Sequence, residues 1–482
     1  MGYKIGDIRN GYEVLPQSER KTVILLADDM RLSSGVATMA KEFVLGTLHH
    51  FNWVQLGSAI KNPDRGKILD ISAEAEKELG IPEPSLKIIP YDGYGDQQIL
   101  RQLLAMFNPS AIIHFTDPRY WEWLYQMENE VRQTCPIIFY AIWDNLPDPK
   151  YNRNYYESCD HVAAISKQTY GIVKRLMSLK ERDGWVPFED WQVSYVPHGI
   201  DPEVYNPLDK VSSDIKNDIT GGKDYDFIIF WINRNIKRKQ PSDVIESYKL
   251  FCDKLPEDES KKCLLVMHCN PRDKNGTDLY AVKDAICPDY DVRFSTKKYS
   301  QEQLNEVYNL VDVTINLAGN EGFGLTTAES IMAGTPVILT VTGGLQDQCG
   351  FKTHFEADEF TAEDYVEIGS LHDKTLFNNE EHTLEFGEWV LPVWPATRTL
   401  IGSLKTPYIY DDKVDSNEVS KAILDMYSMK EDLPRKGQTG RDWMINEGGL
   451  SSSNMSELMT KSINTTIENW TPKEKYKLYK VK

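Results

Sequence analysis

Short runs of consecutive apolar residues recur along this chain, and between them the apolar positions fall at the spacing of one helix face. TVILLAD (22–28), FNWVQLG (51–57), LKIIP (86–90), AIIHF, PIIFYAI (136–142), HVAAIS (161–166) and VSYVP (193–197) read as strands. Stretches with helical spacing, such as 35–48, 96–107 and 167–179, separate them. Strands that lack polar alternation are buried on both faces, so the pattern predicts a parallel sheet with helices on either side.

A polar stretch, NPLDKVSSDIKNDITGGKD (206–224), breaks the series with the composition of turns and linkers. The series then resumes with FIIFWI (227–232), CLLVMH (263–268), VRFS (292–295), VDVTINL (311–317) and PVILT (336–340). The expected fold class is therefore α/β: two Rossmann-like, doubly wound parallel-sheet domains, 1–205 and 206–450. A C-terminal helix within 451–482 is a candidate to cross back onto the first domain. From about 350 to 410 the pattern lapses into acidic and aromatic residues, including FGEWVLPVWPATR (386–398), and reads as an insertion or a functional loop. Trp389, Trp394 and Arg398 there would either stack on sugars or pack a subdomain.

Length agrees with this division, because 482 residues exceed what one core usually organises. A formal net charge of −19 disfavours partners with phosphate backbones or anionic lipid surfaces, so nucleic acid is not an expected partner. Seven cysteines with no C-x-x-C pair read as reduced thiols, and the pair Cys263 and Cys269 reads as core. No apolar run approaches the length of a membrane span. The opening MGYKIGDIRNGYEVLPQSERK lacks the apolar core of a signal peptide and MGYKIG lacks a myristoylation pattern, so a cytoplasmic protein is expected.

In open parallel sheets ligands bind beyond the carboxyl ends of the strands, and the residues there are polar. Asp28 and Asp29 lead into SSGVAT (33–38), AIIHF carries His114, PIIFYAI is followed by Trp143-Asp144-Asn145, and VSYVP by His198-Gly199. In the second half, FIIFWI runs into NRNIKRKQ (233–240), which gathers Arg234, Lys237, Arg238 and Lys239. Such a cluster in an acidic protein suits a diphosphate, or is a solvated basic turn. VDVTINL runs into GNEGFGLTTAESIMAGTPVI (319–338). Gly322 and Gly324 let the backbone turn and approach a ligand, and the helix after them would aim its amides at an anion. Glu329 has acceptors suited to vicinal ribose hydroxyls. Glu321 would grip a second polyol or steady developing positive charge. The alternative makes Glu321 a solvated loop residue and Glu329 a helix-surface one.

These residues resemble the donor site of retaining GT-B glycosyltransferases of family 4, the glycogen-synthase-like, group 1 glycosyl transferases. The resemblance rests on Asn233-Arg234 with Lys239, on Glu321-Gly322-Phe323-Gly324-Leu325 with Glu329, and on Ala333-Gly334-Thr335-Pro336-Val337. It is strong over about 226–340 and fair over 22–205, where Gly35-Val36 resembles the first glycine loop and His198 lies in the P-N-G-V-D-like segment.

The resemblance implies a nucleotide-diphosphate sugar held in an interdomain cleft. Arg234 and Lys239 would neutralise the diphosphate, the amides of Phe323 to Leu325 would cap it, Glu329 would hold the ribose and Glu321 the donor sugar. Gly35 and His198 would line the site. It also implies transfer to an acceptor hydroxyl, carbohydrate, lipid-linked or other, with retention. The departing phosphate would take the acceptor proton, and neither cofactor nor metal would be needed.

Members of this family commonly carry a histidine after the strand corresponding to PIIFYAI, where this chain has Trp143-Asp144. Asp144 and His114 are the candidates for catalytic work near it, or are structural rim residues. A GT-B sugar-nucleotide epimerase and a non-catalytic sugar-nucleotide-binding subunit are the alternatives.

Overall fold

The computed structural model describes residues 14–178, 186–353, 359–373 and 384–474. The MGYKIG reading, residues 354–358 and 374–383 of the 350–410 segment, and the end of the chain beyond 474 lie outside the described residues.

Contacts divide the chain into two compact units: Met1–Trp143 with Asp148–Gly199 and Ser452–Lys482, and Asp144–Pro147 with Ile200–Ser451. The first is built on an eight-stranded sheet of β1 (Lys21–Asp28), β2 (Phe51–Ser58), β3 (Leu69–Asp70), β4 (Leu86–Pro90), β5 (Ala111–Phe115), β6 (Ile137–Ala141), β7 (His161–Ala164) and β8 (Val193–Tyr195). Their order is β3-β4-β2-β1-β5-β6-β7-β8, parallel except for β3. Val23 to Ala27 are wholly buried, as the unbroken apolar run requires of a strand covered on both faces.

The helix Ser452–Asn469 packs on the helix Gly35–Gly46 of this unit. Gly46 makes the approach possible, since a Cβ there would stand 2.1 Å from Ser456 Oγ. Hydrogen bonds between Ser462 and Ser194 (2.9 Å) and between Asn464 and His50 (2.9 Å) fix the register.

In the second unit β9 (Phe227–Ile232), β10 (Cys263–His268), β11 (Val292–Ser295), β12 (Val313–Asn316) and β13 (Val337–Thr340) form a parallel sheet. Beyond β13 lie β14 (Lys352–Thr353), β15 (Leu384–Glu385), β16 (Val390–Val393), β17 (Thr397–Ile401) and β18 (Ile409–Lys413). The order β11-β10-β9-β12-β13-β16 places β16 as the sheet's last strand, in register Val337↔Val390 through Thr340↔Val393. The lapse expected across 350–410 is therefore corrected in part. Pro392 disguises an edge strand, where a missing amide is tolerated, and β17 pairs with β18 as an antiparallel hairpin.

Trp389 and Trp394 pack rather than face outward. Trp389 is buried, stacks on Trp443 at 4.8 Å and donates to Gln348 O (3.0 Å). Trp394 donates to Leu371 O (3.0 Å). Arg398 is held by Asp412 in a two-pronged pair and by His372, with Tyr410 beneath its guanidinium. All seven cysteines are buried, and none is in a disulfide. Among the described residues no helix is long and apolar enough to cross a membrane.

Candidate functional site

The strand order of the second unit reverses at β9, which has β10 on one side and β12 on the other. A crevice opens at the carboxyl ends of strands where connections leave in opposite directions, and ligands of doubly wound folds collect there. The two segments that follow β9 and β12 are the basic turn and the glycine loop. Neighbouring strands thus bring together two motifs separated by about eighty positions.

The basic turn is anchored on both sides. Asn235 Nδ2 donates to Thr277 O (2.7 Å) and Pro271 O (3.2 Å), tying it to the loop after β10. Gln240, at φ +49°, ends the turn Lys237–Lys239 and precedes Pro241, the first residue of the helix Pro241–Cys252. Proline suits that position because its missing amide has no helical acceptor. The Gln240 amide donates to Leu317 O (2.7 Å), and Gly319 N donates to Arg238 O (2.8 Å). The two loops are stitched together through the backbone.

Gly324 adopts φ +91° at the N-cap of the helix Leu325–Met332 and, among the described residues, no side chain caps that end. The first-turn amides of such a helix carry a partial positive charge and suit an anion. The loop is braced from behind by the turn Gly343–Gln348. Gln348 Nε2 donates to Phe323 O (2.7 Å) and Gly324 O (3.0 Å), and Gly344 N donates to Glu321 O (2.9 Å).

Lys239 pairs with Glu321 Oε2, both side chains being largely buried at 8% and 15% exposure. Burial and the nearby Arg238 push the Lys239 ammonium well below its ordinary pKa, while Asp144 opposes the shift. Contact with the Glu321 carboxylate opposes it too. Arg238 lies 3.6 Å from Glu321 Oε2 and donates to Asn320 O (2.7 Å). Arg234, 57% exposed, is gripped by Asp273 at 2.9 and 3.3 Å. Asp273 thus holds the guanidinium of Arg234, which follows β9, against the loop after β10. Asp144 belongs to this unit, accepts from Asn145 Nδ2 (3.2 Å), and its backbone borders Gly343.

Glu329 accepts from the Tyr308 hydroxyl (2.8 Å) and from Tyr205. Burial pushes its carboxyl up to about 7, with the two phenols pulling it down. The folded chain therefore holds this proton between about pH 4.5 and 7 where the unfolded chain has lost it, and stability falls as pH rises through that window. Glu329→Gln should remove the slope. The difference in unfolding free energy between variant and wild type is expected to move in the variant's favour by about 2–3 kcal/mol from pH 5 to pH 8. Urea titrations at the two pH values check it.

In the first unit Gly35 is the exposed first residue of its helix, just after Ser34, which caps the helix and bonds to Asp28 (3.0 Å). The two histidines differ from expectation. His114 is wholly buried inside β5, stacked on Phe139, with Nδ1 2.6 Å from the Tyr125 hydroxyl. Burial lowers its pKa to about 3. With no face open to a substrate it is a core residue, and the catalytic expectation for it is corrected. His198 is also buried, with Nδ1 2.9 Å from the Tyr140 hydroxyl and its pKa lowered to about 3 by desolvation. It stays neutral, and its enclosure does not support a role in lining a donor site.

Gln348, Asp273, Tyr308 and Tyr205 escape a reading by motif. Each acts on a motif residue from a different element, and only the GG of the Gly343–Gln348 turn leaves a sequence signal of close backbone approach.

Two Rossmann-like units, one carrying a cationic turn beside an uncapped glycine-loop helix at its switch point, define the fold class of the GT-B glycosyltransferases. Solved structures agree across nearly the whole chain. The sucrose-phosphate synthase of Thermosynechococcus elongatus matches with a TM-score of 0.62 at 13% identity, covering 93% of this chain and 100% of that one. An Anabaena protein solved in complex with UDP and glucose matches at 0.60 and 10% identity, covering 92% and 100%. Identities this low carry the fold alone.

Residues 213–367 match the family described as Glycosyl transferases group 1. Among curated relatives, the mannosylfructose-phosphate synthase of Agrobacterium fabrum is 24% identical over 215 residues, 43% of this chain and 44% of that protein. The D-inositol 3-phosphate glycosyltransferase of Corynebacterium glutamicum is 25% identical over 233 residues, 46% and 54%. The chain thus spans about half the length of the curated relatives it matches.

Proposed function

We propose that this protein is a retaining glycosyltransferase that moves a sugar from a nucleotide-diphosphate donor to an acceptor hydroxyl, without a metal or a further cofactor, in the cytoplasm. The observation that carries the reading is the meeting of Lys239 and Arg238, after β9, with Glu321 and the uncapped helix Leu325–Met332, after β12. Cleaving the anomeric bond leaves added charge on the diphosphate. Cations and helix amides already in place there stabilise that charge without reorganising. Glu321 would face the donor sugar, and Glu329 the ribose. The departing phosphate would take the acceptor proton, so no separate protein base is required.

Thermal shift with UDP, GDP and ADP sugars tests the reading, UDP-glucose first, since the Anabaena neighbour was solved with UDP and glucose. A donor at 100 times its dissociation constant should stabilise by about 2.7 kcal/mol. Slow donor hydrolysis by the purified chain, with the released sugar's anomeric form followed by NMR, tests catalysis and retention. Arg234→Ala should weaken nucleoside-diphosphate binding about tenfold and reduce its salt dependence, since it removes one charge-assisted contact. Binding without any turnover would favour a non-catalytic subunit. Conversion of the donor to an epimer would favour an epimerase. No stabilisation by any nucleotide sugar would overturn the proposal.

A further inference from the structure

We propose that Tyr308 and Tyr205 are positioning residues: their hydroxyls orient the Glu329 carboxyl so that its remaining acceptor sites face the two ribose hydroxyls of the donor. The inference rests on the reading of Glu329 as the ribose-binding residue, and deepens it.

Both phenols are fixed by groups that owe nothing to a ligand. Tyr308 is wholly buried in the helix Gln301–Leu310; its ring meets Phe230 edge-on at 5.8 Å, and its backbone oxygen accepts from Thr335 Oγ1 (2.7 Å). Tyr205 is buried too, its ring 6.1 Å from that of Tyr308. Its backbone is clasped by Arg441, whose guanidinium donates to Tyr205 O (2.5 Å), to Pro202 O (2.8 Å) and to Met332 O. Met332 is the last residue of the helix that carries Glu329. Arg441 therefore locks the 202–205 segment to the far end of that helix, and the segment holds its phenol against the carboxyl.

An ionised carboxylate offers about four acceptor sites. Two phenols from two separate elements occupy two of them and leave the rest for a pair of vicinal hydroxyls. Among the described residues, the titratable groups facing Glu329 are these two phenols, Tyr308 from its helix and Tyr205 from the 200–206 segment. Burial alone would keep the carboxyl protonated, and a protonated acid loses acceptor capacity. The phenols counter this by bonding to the ionised form, bringing its pKa to about 7. Removing one should raise the carboxyl pKa further and weaken the ribose contact at neutral pH.

Calorimetric titration of wild type, Tyr308→Phe and Tyr205→Phe with UDP, GDP and ADP, and with the corresponding dideoxyribonucleotides, tests this between pH 5.5 and 9. In the wild type the preference for the ribonucleotide should grow as pH rises through about 7. In Tyr308→Phe it should fall by about 3–10-fold at pH 7 and recover at higher pH, with dideoxyribonucleotide affinity unchanged. Tyr205→Phe should behave alike, and Glu329→Gln should abolish the pH dependence. Equal losses for both nucleotide types, or an unmoved pH profile in both phenylalanine variants, overturn this inference alone. Failure of the wild-type chain to bind any of the nucleotides, or to prefer ribose, overturns the donor reading and this inference with it.

Discussion

Lys239→Ala is expected to reduce turnover of the nucleotide-sugar donor by about 10²–10³-fold, the usual loss when one preorganised stabiliser of transition-state charge is removed. The variant should also be less stable. Lys239 and Glu321 form a largely buried pair, and removing one partner leaves an uncompensated charge that typically costs about 3–5 kcal/mol. The two consequences are separable. Adding Glu321→Gln to Lys239→Ala removes the stranded carboxylate, so the double variant should recover most of the lost stability and none of the activity. Denaturant unfolding and donor turnover, measured on both variants, make the comparison. Recovery of turnover together with stability would show that Lys239 serves the fold and not the diphosphate.

The second large effect is expected from Gly344→Ala. A Cβ at this position would lie 2.1 Å from Gly322 O and 2.7 Å from Phe323 Cα, so the glycine loop itself must move. The loop would also strain the bond from Gly344 N to Glu321 O. Nucleoside-diphosphate affinity should fall more than tenfold, with a stability loss of about 1–3 kcal/mol. Gly66→Ala is the contrasting case. It sits at φ +74° with nothing within 4 Å, so it should cost about 1–2 kcal/mol through backbone strain and leave affinity unchanged. Calorimetry and thermal unfolding of the two variants distinguish displacement of the loop from generic loss of stability.

Much of the candidate site was legible in the chain because its parts are local. The continuous apolar runs FIIFWI and VDVTINL announced buried parallel strands. The glycines of GNEGFGL announced a tight turn into a helix, and KRK stood out against an acidic background. Each is a property of a dozen neighbouring residues. The edge strand Val390–Val393 was less legible, because a proline within four residues argues against a strand unless the strand is known to lie at the sheet's edge. His114 and His198 were misplaced for a related reason. A histidine near a strand end looks like a rim residue until the aromatic rings that enclose it, Phe139 for His114 and Tyr140 for His198, are seen to come from another strand of the sheet.

The α/β class, the sites of the strands and the residue types able to meet a diphosphate follow from short stretches of residues, since periodicity, glycine placement and charge act over a single turn or strand. That Lys239 meets Glu321, that Gln348 braces the glycine loop, and that Tyr308 and Tyr205 hold Glu329 emerges with folding alone. Those contacts depend on strand order and on which side chains are desolvated together. Burial and distance across a sheet are properties of the packed chain, which no stretch of residues carries alone.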